Sequence, residues 1–334
     1  MNERDTKAPT VALYFGRKGK VIDKAEVSQL RLESIAILPV VQRIEDFSES
    51  VPDELFEING IATASLSSQL DEIVNLVLEN LALLRRSRRL FISYKRSESA
   101  QVALQLRHEL DLRGYDVFLD THSVPKGDKF QEVLWQRLAD SDVMILLDTP
   151  SFMASRWTRE ELAEAEAMNI GIVQLIWPGH TPSPYTDLCE RMYLDLASFV
   201  NDNLTNEQAI EVAHTVEALR SRCLAARHQR LIREFCLVAS SVGIKAEVQI
   251  DRHLTFKNAA GGDVAVIPAV GVPDAMLYHD ISNKFIKNPG SQALLLYDQR
   301  GLRPTWQAFL DWLDDFLPVK AMSIHKAELA LRKV

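Results

Sequence analysis

The feature that most constrains this chain is an alternation of short apolar runs with amphipathic stretches between residues 90 and 228. The apolar runs lie at 90–94, 115–120, 143–147, 170–177 and 192–196. Between them, the spacing predicts helices at 100–113, 130–139 and 157–168, with a long closing helix at 206–226. Ala103, Leu106 and Leu110 share one face of the first of these, and Gly114 follows it as a C-terminal glycine should. Strands alternating with helices imply a parallel sheet covered on both faces. Such sheets bind ligands outside the carboxyl ends of their strands. The loops after Tyr94, Asp120 and Leu147 are therefore where a site is expected.

This core leaves two flanks, and 334 residues are too many for one typical α/β domain. The expected organisation is an accessory α/β module at 1–88, the central domain at 89–228 and a second accessory α/β module at 229–334. In the first flank, Val11–Phe15 and residues 34–41 are apolar, and the second run reads as a buried strand. Residues 42–60 are acidic and irregular. A helix follows with Leu66, Leu70, Ile73, Val74, Val77, Leu81 and Leu84 on one face, ending in a basic run at 85–89 that suits a helix C-terminus. In the last flank, strands are expected at 245–250, 264–270 and 293–297. An aromatic helix is expected at 305–316, with Trp306, Phe309, Leu310 and Leu313 inward. A turn is expected at 258–262.

Composition narrows the function classes. The chain is 47% apolar and 25% charged, ordinary for a globular protein. A net charge of -8 disfavours sequence-independent binding to nucleic acid, which needs an excess of Lys and Arg. Cys189, Cys223 and Cys236 are too few and too far apart for a disulfide framework or a zinc site, and read as reduced thiols. No apolar run is long enough to span a bilayer, and the N-terminus has no signal-peptide pattern, so a cytoplasmic location is expected. Gly16-Arg17-Lys18-Gly19-Lys20 lacks the spacing of a phosphate-binding loop. The pairs Asp251/His253 and His279/Asp280 lack the ligand spacing of a metal centre, and no metal is expected.

Four segments carry the strongest signal. They are Phe91-Ile92-Ser93-Tyr94-Lys95-Arg96; Gly114 to Asp120 with the following loop to Phe130; Ser141 to Leu147 with Pro150-Ser151-Phe152; and Ser155-Arg156-Trp157-Thr158-Arg159-Glu160-Glu161-Leu162. In this order and spacing the region 89–228 resembles the TIR (Toll/interleukin-1 receptor-like) family, of the bacterial NAD+-cleaving effector type. The resemblance implies a flavodoxin-like domain with a five-stranded parallel sheet. It also implies cleavage of the nicotinamide–ribose bond of NAD+, by hydrolysis or cyclisation, within bacterial antiviral immunity. NAD+ would be substrate, with no cofactor. The alternative within the family is a non-enzymatic scaffold or adaptor.

The family's catalytic glutamate lies in a Trp-x-x-x-Glu motif, here Trp157 to Glu161. Residues four apart share a helix face, so indole and carboxylate can border one pocket; Glu160 points elsewhere. Without the other segments, a Trp opening a helix is ordinarily a packing anchor, and a Glu four residues on is ordinarily solvated. The resemblance places Arg96 near the bound dinucleotide, Tyr94 and Trp157 against it, and Phe130 where the family has an aromatic. In the family the loop after the second strand, here with Pro125 and Gly127, packs on a neighbouring TIR domain. Homo-oligomerisation through TIR–TIR contacts is thus expected, with a sensor protein or a nucleotide signal as candidate trigger. Some active relatives have an acidic residue where this chain has Pro125 and Lys126.

Overall fold

The computed structural model describes residues 10–63, 66–81, 84–85, 87–119, 130–152, 156–186, 188–286 and 291–332, and for residues 66–69, 130–131, 156–161 and 185 the backbone alone. The chain divides into two compact units, Met1–Arg86 and Ser87–Val334.

The first unit runs β1 (Val11–Phe15), α1 (Lys24–Leu32), β2 (Ala36–Val41), α2 (Phe47–Ser50), β3 (Ile61–Ala62) and α3 (Leu66–Asn80). Its strands form a parallel sheet in the order β1-β2-β3. Tyr14, Val27, Ile37 and Val41 pack with Val51 and Leu55. The stretch expected to be irregular therefore contributes core residues through short helical turns. On α3, Ile73 is buried with Leu76 and Val77 packed near it, whereas Leu70 and Val74 are exposed. The inward face is narrower than the periodicity suggested.

The second unit begins with β4 (Arg88–Ser93), α4 (Arg96–Asp111), β5 (Tyr115–Leu119), α5 (Phe130–Ala139), β6 (Val143–Asp148), α6 (Arg156–Ala167), β7 (Gly171–Ile176) and β8 (Glu190–Tyr193). After the short β9 (Phe199–Val200) and β10 (Asn203–Leu204) comes α7 (Asn206–Ser241). The five main strands form one parallel sheet in the order β5-β4-β6-β7-β8. Counted along the chain this is 2-1-3-4-5, the flavodoxin-like arrangement, whose ligand crevice opens between the first and third strands. Here that place is the carboxyl ends of β4 and β6.

Every residue of β6 is buried, as a central strand covered on both faces requires. Alternation along β4 feeds two cores: Leu90 and Ile92 join α4 and α7, while Phe91 joins α5 and α6. Gly114 adopts φ +79, so the glycine closing α4 is needed there. At Gly171 a Cβ would lie 2.7 Å from Cys223 Sγ and from Leu219 Cγ, so the missing side chain lets α7 lie close against β7.

The long helix α7 does not stop at Ala226, and position 228 falls inside it. The polar run Arg227-His228-Gln229-Arg230 looks like a helix end, but Arg227 is buried and donates to the carbonyls of Ser141 (2.8 Å) and Ala139 (3.0 Å). Burial also pushes His228 down to about 4, favouring its neutral form. The C-terminal half of α7 then covers a second sheet with Leu231, Ile232, Phe235 and Ala239.

That sheet comprises β11 (Glu247–Val248), β12 (Leu254–Lys257), β13 (Asp263–Pro268), β14 (Gln292–Tyr297) and β15 (Val319–Ser323), in that order. The first three pair antiparallel, and β13, β14 and β15 run parallel. The parallel crossovers are α8 (Ala275–Phe285) and α9 (Pro304–Phe316), and α10 (Ala327–Leu331) ends the described chain. The turn at 258–262 joins β12 to β13, with Gly262 N donating to Asn258 Oδ1 at 2.7 Å. Leu310 and Leu313 of α9 are buried as expected. The sequence analysis did not anticipate β12, β15 or α8.

Candidate active site

The crevice between β4 and β6 is framed by two short connections. The chain leaves β4 through Tyr94 and Lys95 and enters α4 at Arg96. The first turn of α4 is separated from the rest by Ser99, whose backbone (φ -143, ψ 19) is not helical. This break sets residues 96–98 apart from the rest of the helix. Opposite, β6 ends at Asp148, and Thr149 to Phe152 turn towards α6.

The two connections are tied together by charge. Lys95 Nζ lies 2.8 Å from Glu98 Oε1 and 3.5 Å from the Ser151 carbonyl oxygen. Ser151 N donates to Glu98 Oε2 at 3.3 Å. The Lys95 ammonium first, and the Ser151 amide with it, hold the Glu98 carboxyl down at about 2. Lys95 thus spends its charge on the rim. The neighbouring Arg96 carries an exposed side chain at the same strand end. Tyr94 is only 4% exposed and sits in the core formed with α4 and α7. Its ring belongs to that core at the strand end.

At the carboxyl end of β6, Asp148 is fully buried. It accepts from Gln174 Nε2 of β7 at 2.6 Å and faces His180 Nε2 at 3.1 Å. Its main-chain carbonyl accepts from Trp177 N at 3.1 Å. These bonds fix the ends of β6 and β7 relative to one another. Neither Glu98 nor the Asp148–Gln174–His180 group was singled out from the sequence. Asp148 carried a detectable signal, as an acid closing a fully apolar strand.

Trp157 and Glu161 lie on α6, at positions 156–161 for which only the backbone is described. Leu162, Ala165 and the following Met168 are buried in the α5/α6 core. At about 100° per residue, position 161 falls beside that buried face and position 160 nearly opposite it. Phe130 opens α5, again with only its backbone described, and Pro125 and Gly127 lie outside the described residues. Among the described residues no group of three or more His, Cys, Asp or Glu side chains is placed to hold a metal. His253 Nδ1 pairs with Asp251, and Lys284 Nζ takes that carboxylate's other oxygen at 2.7 Å, where a cation would have to sit. No helix among the described residues is long and apolar enough to cross a membrane.

Comparison with known proteins agrees with this topology. The family described as "TIR domain" matches residues 90–210. Over 101 residues the chain is 30% identical to a protein named NAD(+) hydrolase sarm1 from Drosophila melanogaster; the match covers 26% of this chain and 7% of that protein. Among solved structures, a CMP N-glycosidase of Clostridium botulinum aligns with TM-score 0.29 and 14% identity, covering 38% of this chain and 98% of the other. The TIR domains of the activated Roq1 resistosome align with TM-score 0.26 and 16% identity, covering 42% of this chain and 83% of that one. Both scores are low, and the strand order is the firmer ground for the fold. Residues 90–210 of this chain are a TIR domain.

Proposed function

We propose that the TIR domain cleaves the bond between nicotinamide and ribose in NAD+, with Glu161 as its catalytic residue. The observation that carries this reading is the Trp157–Glu161 spacing on α6, and a 101-residue stretch of the chain is 30% identical to a protein named NAD(+) hydrolase. The crevice at the carboxyl ends of β4 and β6 is where a sheet of this order binds ligands.

The chemistry asks little of the protein. The C1′–N bond breaks and its electron pair stays with nicotinamide, which leaves neutral and needs no general acid. Positive charge develops on the ribose, as in glycoside hydrolysis. A fixed carboxylate at Glu161 stabilises that charge or holds the ribose hydroxyls. Water then bonds to C1′ and releases a proton, giving ADP-ribose; attack by a nitrogen of the adenine instead gives a cyclic isomer. Arg96 offers a forked donor to a phosphate from the β4 end. Trp157 and Phe130 are the proposed aromatic walls, and no cofactor or metal takes part.

Assembly is the proposed control. The loop with Pro125 and Gly127 would select its active arrangement against a neighbouring TIR domain. The flanks 1–88 and 229–334 would hold or release that arrangement. The setting in bacterial immunity rests on the family resemblance. The test is nicotinamide release by the purified full chain, with products resolved by mass. Turnover is expected for the native protein and its loss for Glu161→Gln; equal turnover by both would refute the assigned role.

A further inference from the structure

A chain of polar side chains crosses the TIR sheet towards the carboxyl ends of β6, β7 and β8. Arg191 Nε lies 3.4 Å from Gln174 Oε1, and Gln174 Nε2 lies 2.6 Å from Asp148 Oδ2. The other carboxylate oxygen, Asp148 Oδ1, lies 3.1 Å from His180 Nε2. Gln174 and Asp148 are fully buried, whereas the His180 side chain is 16% exposed, so part of its ring is open to solvent.

The chemistry of these groups fixes the direction of every bond. A guanidinium only donates, so it meets the amide oxygen of Gln174. The Gln174 amide nitrogen then donates to Asp148, whose carboxylate only accepts. The same carboxylate can meet His180 only through an N–H. The imidazole therefore carries a proton on Nε2, and its neutral form keeps a lone pair on Nδ1. Among the described residues none bonds to that Nδ1. A buried carboxylate that holds one imidazole nitrogen and leaves the other as a base is the arrangement of a hydrolytic triad.

The chain lies on the face of the sheet that α6 covers. Met144, Leu146 and Ile172 join the α5/α6 core, while Ile145 and Val173 join the opposite one. Asp148 and Gln174 continue the first alternation. Helix α6 links β6 to the parallel β7, so its first turns stand at the carboxyl ends. Position 161 is about 8 Å along the axis from the start of α6. Glu161 and His180 thus share one face and one end of the sheet, the end at which ligands bind.

We propose that His180 accepts the proton of the water that attacks C1′, with Asp148 and Gln174 as positioning residues that hold its tautomer. The inference rests on the NAD+ reading and assigns the proton of that reaction. The C1′–N bond breaks with its electron pair on nicotinamide, the water oxygen bonds to C1′, and one water proton passes to Nδ1. The imidazolium, faced by the Asp148 carboxylate, then returns that proton to solvent. A ring nitrogen of adenine attacks through a lone pair and has no proton to shed, so cyclisation does not need His180.

The test is steady-state turnover of NAD+ by the full chain, with ADP-ribose and the cyclic isomer resolved by mass. His180→Gln keeps an N–H for Asp148 and removes the base. Its ADP-ribose formation should fall by about a hundredfold, with the cyclic isomer not reduced. Asp148→Asn turns an N–H towards Nε2 and moves the imidazole proton to Nδ1, so ADP-ribose formation should fall there too. Added imidazole should restore it in His180→Ala and not in Asp148→Asn. The proposal is overturned if His180→Gln loses less than about tenfold in ADP-ribose formation, if both products fall together, or if imidazole fails to rescue a His180→Ala protein of native melting temperature. Failure of the native chain to release nicotinamide would refute the NAD+ reading itself, and this inference with it.

Discussion

Replacement of Arg220 by methionine should unfold the second unit far more readily than any surface change. Arg220 projects from α7 to the amino end of β6, where its Nε donates to Asp142 Oδ2 at 2.7 Å. Both side chains have 0% exposure. One turn earlier, Glu217 of the same helix meets Arg88 at 2.6 Å, again with both partners largely buried. The helix is therefore pinned to the sheet by opposite charges out of water. Methionine fills much of the volume but takes the Arg220 guanidinium away from the Asp142 carboxylate. Breaking one side of a buried pair costs roughly 3–5 kcal/mol. For a unit of this size, each kcal/mol lowers the melting temperature by about 2–4 °C, so the fall should be on the order of 10 °C. Urea titration followed by the fluorescence of Trp135 and Trp177, which lie in this unit, would measure it. Replacing Asp142 by leucine in the same chain should recover most of the loss, because no charge is then left without its partner. A loss below about 0.5 kcal/mol for Arg220→Met, the size of an ordinary surface change, would show that the pair does not secure α7.

Three further outcomes follow from the site and its rim. Arg96→Ala should raise the KM for NAD+ more than Lys95→Ala, because the Arg96 side chain is exposed just beyond the carboxyl end of β4, where a sheet of this order binds ligands; equal small effects in steady-state kinetics would make Arg96 a surface cation. Glu98→Gln should speed amide exchange at Ser151, and the native protein should show the same opening in acid. The folded carboxyl sits at about 2 against an ordinary 4.5, so its contribution is complete above about 4.5 and is lost as the pH falls through about 2; a Ser151 protection factor, taken against the intrinsic exchange rate at each pH, that stays unchanged between these values would contradict the tie. Activity per subunit should fall on dilution and recover when the protein is crowded on a surface. A rate per subunit flat across concentration would remove assembly as the control.

The TIR sheet was legible because its strands are apolar runs buried on both faces, separated by helices of ordinary amphipathic period. Val143 to Leu147 could hardly be anything but a central strand, and α5 appears with the bounds its sequence predicts. The C-terminal sheet was harder. Leu254 and Phe256 alternate with polar residues over only four positions, too short a run to stand out, and β15 mixes Lys320 with small residues. The length of α7 was hidden by Arg227 and His228, whose burial depends on partners far away in sequence. The same reason hid much of the candidate site. Trp157 and Glu161 are recognisable by spacing, whereas Glu98 acquires meaning only when Ser151 is brought to it across the sheet, and Asp148 only when Gln174 and His180 close over it.

The most direct test of the central claim is nicotinamide release from NAD+ by the assembled full chain, compared between the native protein and Glu161→Gln, with Glu160→Gln as the control. The account predicts release by the native protein, its abolition in Glu161→Gln with an unchanged melting temperature, and a milder effect in Glu160→Gln. Release that persists unchanged in Glu161→Gln, or that falls equally with Glu160→Gln, would contradict it.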